Sequence, residues 1–351
     1  MRRKVIKQGH NTLTITLPSS WVNKFNIKTG DELDVREQGK ILSIGTEKSS
    51  GTSSVTIDIS NLTPPIIWRY ILSVYRAGYD EIRVIGFGKS KKNISSSFSP
   101  KTNLDYLLNN KITMTSPTDA IIFSTSSSMR TGYDFDWNMN PVETITACVN
   151  RLINVEIIEQ KENYCVIKEL GETTYKEFDN AIRRIFILLN FEAEYIMAAI
   201  KGNKNEVKHI HIVDTNLDRF EDFCLRVLNK RGFSDFNKTP VMFTVVFLLE
   251  MMGDELKKIG LHLLENKKIN TKFMIELFDV QMKQINRFYK LFYNFNKEHV
   301  LEIYDEDKKG SELIAKYYKR LNNDEKELLH HFKKIGTFVL NLTELKIDME
   351  S

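Results

Sequence analysis

The chain of 351 residues reads as a multidomain α+β protein: a small β-rich unit at the N-terminus, a middle α/β region and an all-α tail. Three patterns predict this. Apolar residues alternate at Leu13, Ile15 and Leu17 and again at Leu33 and Val35, the period of a half-buried strand. Between residues 52 and 170, short β-favouring runs alternate with one-faced helical stripes. From residue 174 onward, apolar side chains recur at three- and four-residue spacing over long stretches. The length suits two or three domains, and 42% hydrophobic with 27% charged residues is ordinary for a globular chain.

In the first unit, residues 1–48, Pro18 stops the strand that begins at Thr12, because proline cannot donate to a ladder. Ser19 or Ser20 is a suitable N-cap for a short helix carrying Trp21, Val22 and Phe25. Gly30-Asp31 then turns the chain, and Gly39 leads into a last strand over Lys40 to Ile44. A unit this small rarely buries enough surface to stand alone without disulfides, metal or a second copy. Residues 1–30 carry Arg2, Arg3, Lys4, Lys7, Lys24 and Lys28 and not one acid. Such a field suits a phosphate backbone, to which Asn11, Thr12, Thr14 and Thr16 could add neutral hydrogen bonds. A solvated basic arm on a dimerisation module would carry the same charges.

The order Arg2 to Lys7, Gly9, the strand, Pro18-Ser19-Ser20-Trp21 and Ile27 to Val35 resembles the AbrB/SpoVT/MazE family of DNA-binding domains. The resemblance implies a swapped-hairpin β-barrel, made by two interleaved chains, that binds double-stranded DNA as a homodimer. The DNA-facing residues it implies are Arg2, Arg3, Lys4, Lys7, His10, Asn11, Thr12 and Lys24. Bacterial relatives usually place an arginine just after the turn glycine, where this chain has His10.

Three scattered cysteines, Cys148, Cys165 and Cys224, make neither a disulfide framework nor a zinc motif and suit a reducing, cytoplasmic setting. The basic start runs into polar residues, unlike a signal peptide. Val241 to Met252 is interrupted by Glu250 and too short to span a bilayer, so no membrane insertion is expected.

In residues 52–170, Val55 to Ile59 reads as a strand, Pro64-Pro65 opens a helix with Ile67, Ile71, Leu72 and Tyr75 on one face, and Ile82 to Phe87 is a second strand. An insertion covers residues 88–140: Lys89 to Ser99 reads as a loop, Ala120 to Ser124 as a strand. Its Ser126 to Gly132 run lacks the glycine-rich start and Gly-Lys-Ser/Thr ending of a phosphate loop. Pro141 opens a helix through Leu152, and Val155 to Ile158 with Tyr164 to Ile167 form a hairpin-like pair. The segments Asp58 to Phe87 and Asn150 to Ile153 resemble the linker of archaeal regulators that join an AbrB-type head to a PhoU tail.

The tail divides into six helices in two sets, 174–266 and 271–348. Thr174 with Glu177 makes a capping box for the first helix, Gly232 ends the second, and Thr239-Pro240 starts the third. Phe278 to Phe295 marks the fourth, Leu313 to Leu321 a short fifth preceded by a charged loop at Asp305-Glu306-Asp307, and Asn322 with Glu325 caps the sixth. Asp214, Asp218, Glu221 and Asp222 share one helix face, and Glu250 and Asp254 stand at i, i+4 on the next helix. The first set resembles PhoU, the phosphate-signalling family, through Glu250-x-x-x-Asp254 beside Gly253. That resemblance implies a pair of three-helix bundles and a metal held by these six acids. All-oxygen donors suit Mg, Mn or ferric Fe better than zinc. The acids could equally be boundary residues paired with Arg219, Lys257 or Lys258.

Together these readings give a transcriptional regulator of phosphate uptake and homeostasis, dimeric and without enzymatic activity. The alternative is a regulator of a phosphate ABC transporter ATPase or a sensor kinase whose head only dimerises. An antitoxin is disfavoured because such tails are short and disordered. A hydrolase is disfavoured because no nucleophile–base pair can be argued.

Overall fold

The computed structural model describes residues 2–9, 12–38, 41–46, 53–87, 139–171, 175–265 and 269–351. The chain divides into two compact units, Met1–Ser53 and Ser54–Ser351. The expected strand at Ala120 to Ser124, the Lys89 to Ser99 loop and the Thr174 cap lie outside the described residues.

The first unit holds two hairpins. Strands β1 (Ile6–Gln8) and β2 (Thr12–Thr14) pair antiparallel, as do β3 (Leu33–Gln38) and β4 (Ile41–Thr46). Between them lie α1 (Ser19–Lys24) and a turn in which Gly30 takes φ 92°, the left-handed conformation glycine permits. The strand expected through Leu17 ends at Thr14, and the N-cap of α1 is Pro18, with no side-chain cap bond, instead of a serine. Proline's preset φ, at −63°, leads directly into the helix.

The second unit opens with a four-stranded sheet in the order β5-β6-β8-β7. Here β5 (Ser54–Asp58) and β6 (Glu81–Ile85) run parallel, joined through α2 (Pro64–Arg76). After α3 (Pro141–Arg151), β7 (Val155–Gln160) and β8 (Tyr164–Glu169) form the expected hairpin, and β8 pairs antiparallel with β6. Asn140 and Glu143 close a capping box at the start of α3. One face of α2 buries Ile67, Trp68, Ile71, Leu72 and Tyr75 against Ile82, Val84, Ile145, Cys148, Val149 and Ile167. The sheet is thus covered by two helices that also touch each other.

Six long helices follow. The first set is α4 (Tyr175–Ile200), α5 (Val207–Arg231) and α6 (Thr239–Leu264); the second is α7 (Thr271–Tyr293), α8 (Lys297–Tyr317) and α9 (Asn323–Glu350). They share one apolar core, because α6 packs on α9 and α4 on α7. The fifth helix is longer than expected, and Asp305, Glu306 and Asp307 lie within it. Asn296 caps it by accepting from the Glu298 and His299 amides, while few of its side chains are buried, so its apolar stripe is too thin to read. The Asn322–Glu325 capping box of α9 forms as expected. Glu255 of α6 joins the sets: its carboxylate meets His331 Nδ1 at 2.6 Å, Lys258 Nζ at 2.8 Å and Lys334 Nζ at 3.4 Å. No helix among the described residues is long and apolar enough to cross a membrane.

Candidate functional site

The N-terminal unit presents charge and apolar surface together. Arg2, Arg3, Lys4, Lys7, Thr12 and Lys24 are all exposed; His10 and Asn11 lie outside the described residues. Lys7 pairs across the hairpin with Leu13, so the strand carries cationic and apolar side chains side by side. Lys24 Nζ stands 5.4 Å from the Phe25 ring, which packs on Trp21 at 5.7 Å. Val5, Ile6, Leu13, Ile15, Phe25, Val35 and Leu42 are 41–71% exposed, and no described residue of the unit is buried. Among its described residues a single copy therefore has no core. Of the positions that alternation marked, Leu13, Ile15 and Val35 stand open, and Leu17 and Leu33 are half-buried.

The acid face of α5 is internal. Asp214 and Asp254 both accept from Lys257 Nζ, at 2.9 and 2.8 Å. Asp218 and Asp222 accept from Arg151 at 3.1 and 2.6 Å. Asp222 and Glu221 also meet Arg76, at 2.5 and 3.2 Å. Glu250 is buried as well, at 1% exposure. Behind these groups, Glu192 of α4 is fully buried, and neither of its carboxyl oxygens has a hydrogen-bond partner.

The Asp218, Glu221 and Asp222 part of the face is therefore a seam between α5 and the α/β layer, while Asp214 turns to Lys257 of α6. Arg76 and Arg151 are the last residues of α2 and α3, where the negative end of each helix favours a cation. One turn further along α5, Arg226 donates to the carbonyls of Tyr75 at 2.7 Å and Tyr79 at 2.9 Å, and meets Glu169 at 3.2 Å. These bonds tie α5 to the last turn of α2 and to the chain just after it. Asn229 donates to the Arg76 carbonyl at 2.8 Å, and Lys230 bridges Asp80 and Glu169.

Burial governs the electrostatics. It pushes the Asp218 carboxyl up to about 7, with the Asp214 charge adding and Arg151 and Lys257 opposing. Asp214 and Glu192 rise for the same first reason. Burial lowers the Lys257 ammonium, but Asp214, Asp254 and Asp218 outweigh it, so its pKa lies above the ordinary value. A metal at Asp214 and Asp254 would compete with this ammonium for the same two oxygens. Of the cations named from sequence, Lys257 pairs with Asp214 and Asp254 and Lys258 with Glu255; Arg76 and Arg151, which were not named, also pair with the acids. The signal that could have found them was a basic residue at each of two helix C-termini. Among the described residues, the three side chains whose donor atoms converge within 4.8 Å in metal-ligand fashion are His262, Asp324 and Glu327, none of them a predicted ligand.

Residues 6–42 match the family model described as antidote-toxin recognition MazE, bacterial antitoxin. No curated protein matches the chain. Among solved structures it is similar to PhoU from Pseudomonas aeruginosa, at 16% identity and a TM-score of 0.41, over 49% of this chain and 95% of that one. It is also similar to the phosphate transport system regulatory protein PhoU from Streptococcus pneumoniae, at 16% identity and a TM-score of 0.39, over 50% of this chain and 96% of that one. The chain thus carries a MazE-type segment at its N-terminus and, beyond it, a structural similarity to PhoU proteins.

Proposed function

We propose that this protein is a dimeric DNA-binding regulator of phosphate uptake, its head on DNA and its helical region answering to a phosphate ABC transporter ATPase or a sensor kinase. The observation that carries the reading is the exposed apolar row of the head, from Val5 to Leu42, beside exposed Arg2, Arg3, Lys4, Lys7 and Lys24. A second copy covers the row, and doubling the basic set gives a cationic face suited to a polyanion. The match of residues 6–42 to the MazE family model supports this use of the head. The phosphate half rests on the sequence resemblance around Glu250 to Asp254. Asp254 there is paired with Lys257, and a metal at that carboxylate would be a second role.

The test is binding of the full-length protein to a labelled duplex from its own upstream region. Affinity is expected to fall roughly 10³-fold or more between about 50 and 200 mM salt, as for several phosphate contacts. Arg3→Gln with Lys7→Gln should weaken all duplexes alike. Absent or salt-insensitive binding would remove DNA from the proposal. The apolar row would then stand for dimerisation alone, which is the partner-regulator alternative.

A further inference from the structure

A cavity of about 500 Å³ lies in the second unit between the turn that follows α3 and the helices α4 and α5. That size falls within the roughly 300–1,000 Å³ of small-molecule sites. From α4 come Glu177, Asn180, Ala181 and Arg184, at i, i+3, i+4 and i+7 and hence on one face. From α5 come Phe220 and Phe223, one turn apart. Ile153 and Asn154 complete the wall. Asn154 takes φ 64°, a left-handed turn that asparagine tolerates, and carries the chain from α3 into β7. Its side-chain amide donates to the Gly171 carbonyl at 2.7 Å, which holds the turn.

The lining divides by exposure. Ala181 and Phe223 are buried, and Ile153 and Phe220 are partly buried against the helical core, so the bottom is apolar and carries two phenyl rings. Glu177, Asn180 and Arg184 are exposed and form the mouth. The neighbouring Arg183 stands over the Tyr293 ring at 5.1 Å, whereas Arg184 has no acid partner among the described residues. An uncharged apolar guest would cover the Arg184 guanidinium and strip its water with no hydrogen bond in return. A nucleotide brings at least a dianionic phosphate and meets one cation here, with the Glu177 carboxylate on the same helix face. A flat ring with one carboxylate suits both ends. The ring packs on Phe220 and Phe223, and the carboxylate takes two parallel N–H donors from Arg184.

We propose that this cavity binds a small aromatic carboxylate, with Arg184 on the anion and Phe220 and Phe223 against the ring. Asn180 offers its amide to a hydroxyl or carbonyl substituent on the guest. The small side chain of Ala181, between Asn180 and Arg184 on the same face, leaves the space open. The site is separate from the six acids singled out in the sequence and from the basic head, and it stands whether or not the head binds DNA.

Full-length protein titrated calorimetrically with indole-3-acetate, and with indole and AMP for comparison, provides the test. Indole-3-acetate is expected to bind once per chain and roughly tenfold more tightly than indole, which lacks the carboxylate. AMP is expected not to bind. Arg184→Gln should remove the preference for the acid and leave the affinity for indole unchanged, a split that a general loosening of the fold would not produce. Ala181→Leu puts a larger side chain into the cavity and should abolish binding of both. Should Ala181→Leu misfold by circular dichroism, Arg184→Gln decides, because that position is exposed. No saturable binding of indole-3-acetate overturns the proposal. AMP binding as tightly as the acid overturns it too, and makes the cavity a nucleotide site. Unchanged binding of the acid by Arg184→Gln also overturns it, and moves the ligand elsewhere, as to the exposed apolar row of the head.

Discussion

Burial holds the Asp218 carboxyl near 7 against an ordinary value of 3.8, and stability must follow that shift. Between these values the folded protein keeps a proton that the unfolded chain has released. Stability therefore falls as pH rises through that window. Asp214 and Glu192 are shifted in the same direction and add to the slope. The urea midpoint of the parent protein should drop between about pH 4.5 and 7.5, and Asp218→Asn should flatten part of that drop. Identical midpoint–pH curves for the two proteins would show that Asp218 ionises normally. The face-sharing of Asp214, Asp218 and Asp222 was legible in the sequence, since it needs only helical periodicity. Glu192 was not, because a lone glutamate on an amphipathic helix looks like a solvated one until the neighbouring helices close over it.

Helix ends decide how the elements join. Arg226 is fully buried and spends its guanidinium on the end of α2 and on Glu169. Arg226→Met keeps most of the bulk but removes the bonds to the Tyr75 and Tyr79 carbonyls and to Glu169, and weakens the seam. A loss of about 2–4 kcal/mol in denaturant unfolding is expected. A loss under about 1 kcal/mol would mean that water takes over those carbonyls. The elements themselves were mostly readable: Pro64-Pro65, Pro141 and the Asn322–Glu325 pair are local signals acting within one helical turn. Helix α8 was read short because it buries only Ile303, Glu306 and Gly310, too few apolar positions to set a period. Its start is fixed by Asn296, a cap that needs no apolar stripe.

At the scale of the molecule, the head and the second unit draw on different sources of stability. The second unit has its own cores, and the described head residues contribute to neither. Leu13→Asp or Ile15→Asp should thus convert a dimer into a monomer by sedimentation velocity at micromolar concentration and abolish duplex binding. The main thermal transition should stay within about 2 °C of the parent's, because the cores of residues 57–349 are untouched. A dimer that survives either charge would place the contact between copies elsewhere. The sequence shows a change from strand alternation to helix–strand succession near residue 52, and nothing in it marks the close union of α/β layer and helices in the unit Ser54–Ser351.

The sequence by itself determined the order of most elements, the basic character of the first thirty residues, and which acids share a helix face. Each of these depends on residues within a few positions of one another. Only the tertiary structure decided what those acids meet: Asp222 is 146 residues from Arg76 and 71 from Arg151. A buried charge is held by whichever opposite charge the fold brings within about 3 Å, and chain separation carries no trace of that distance.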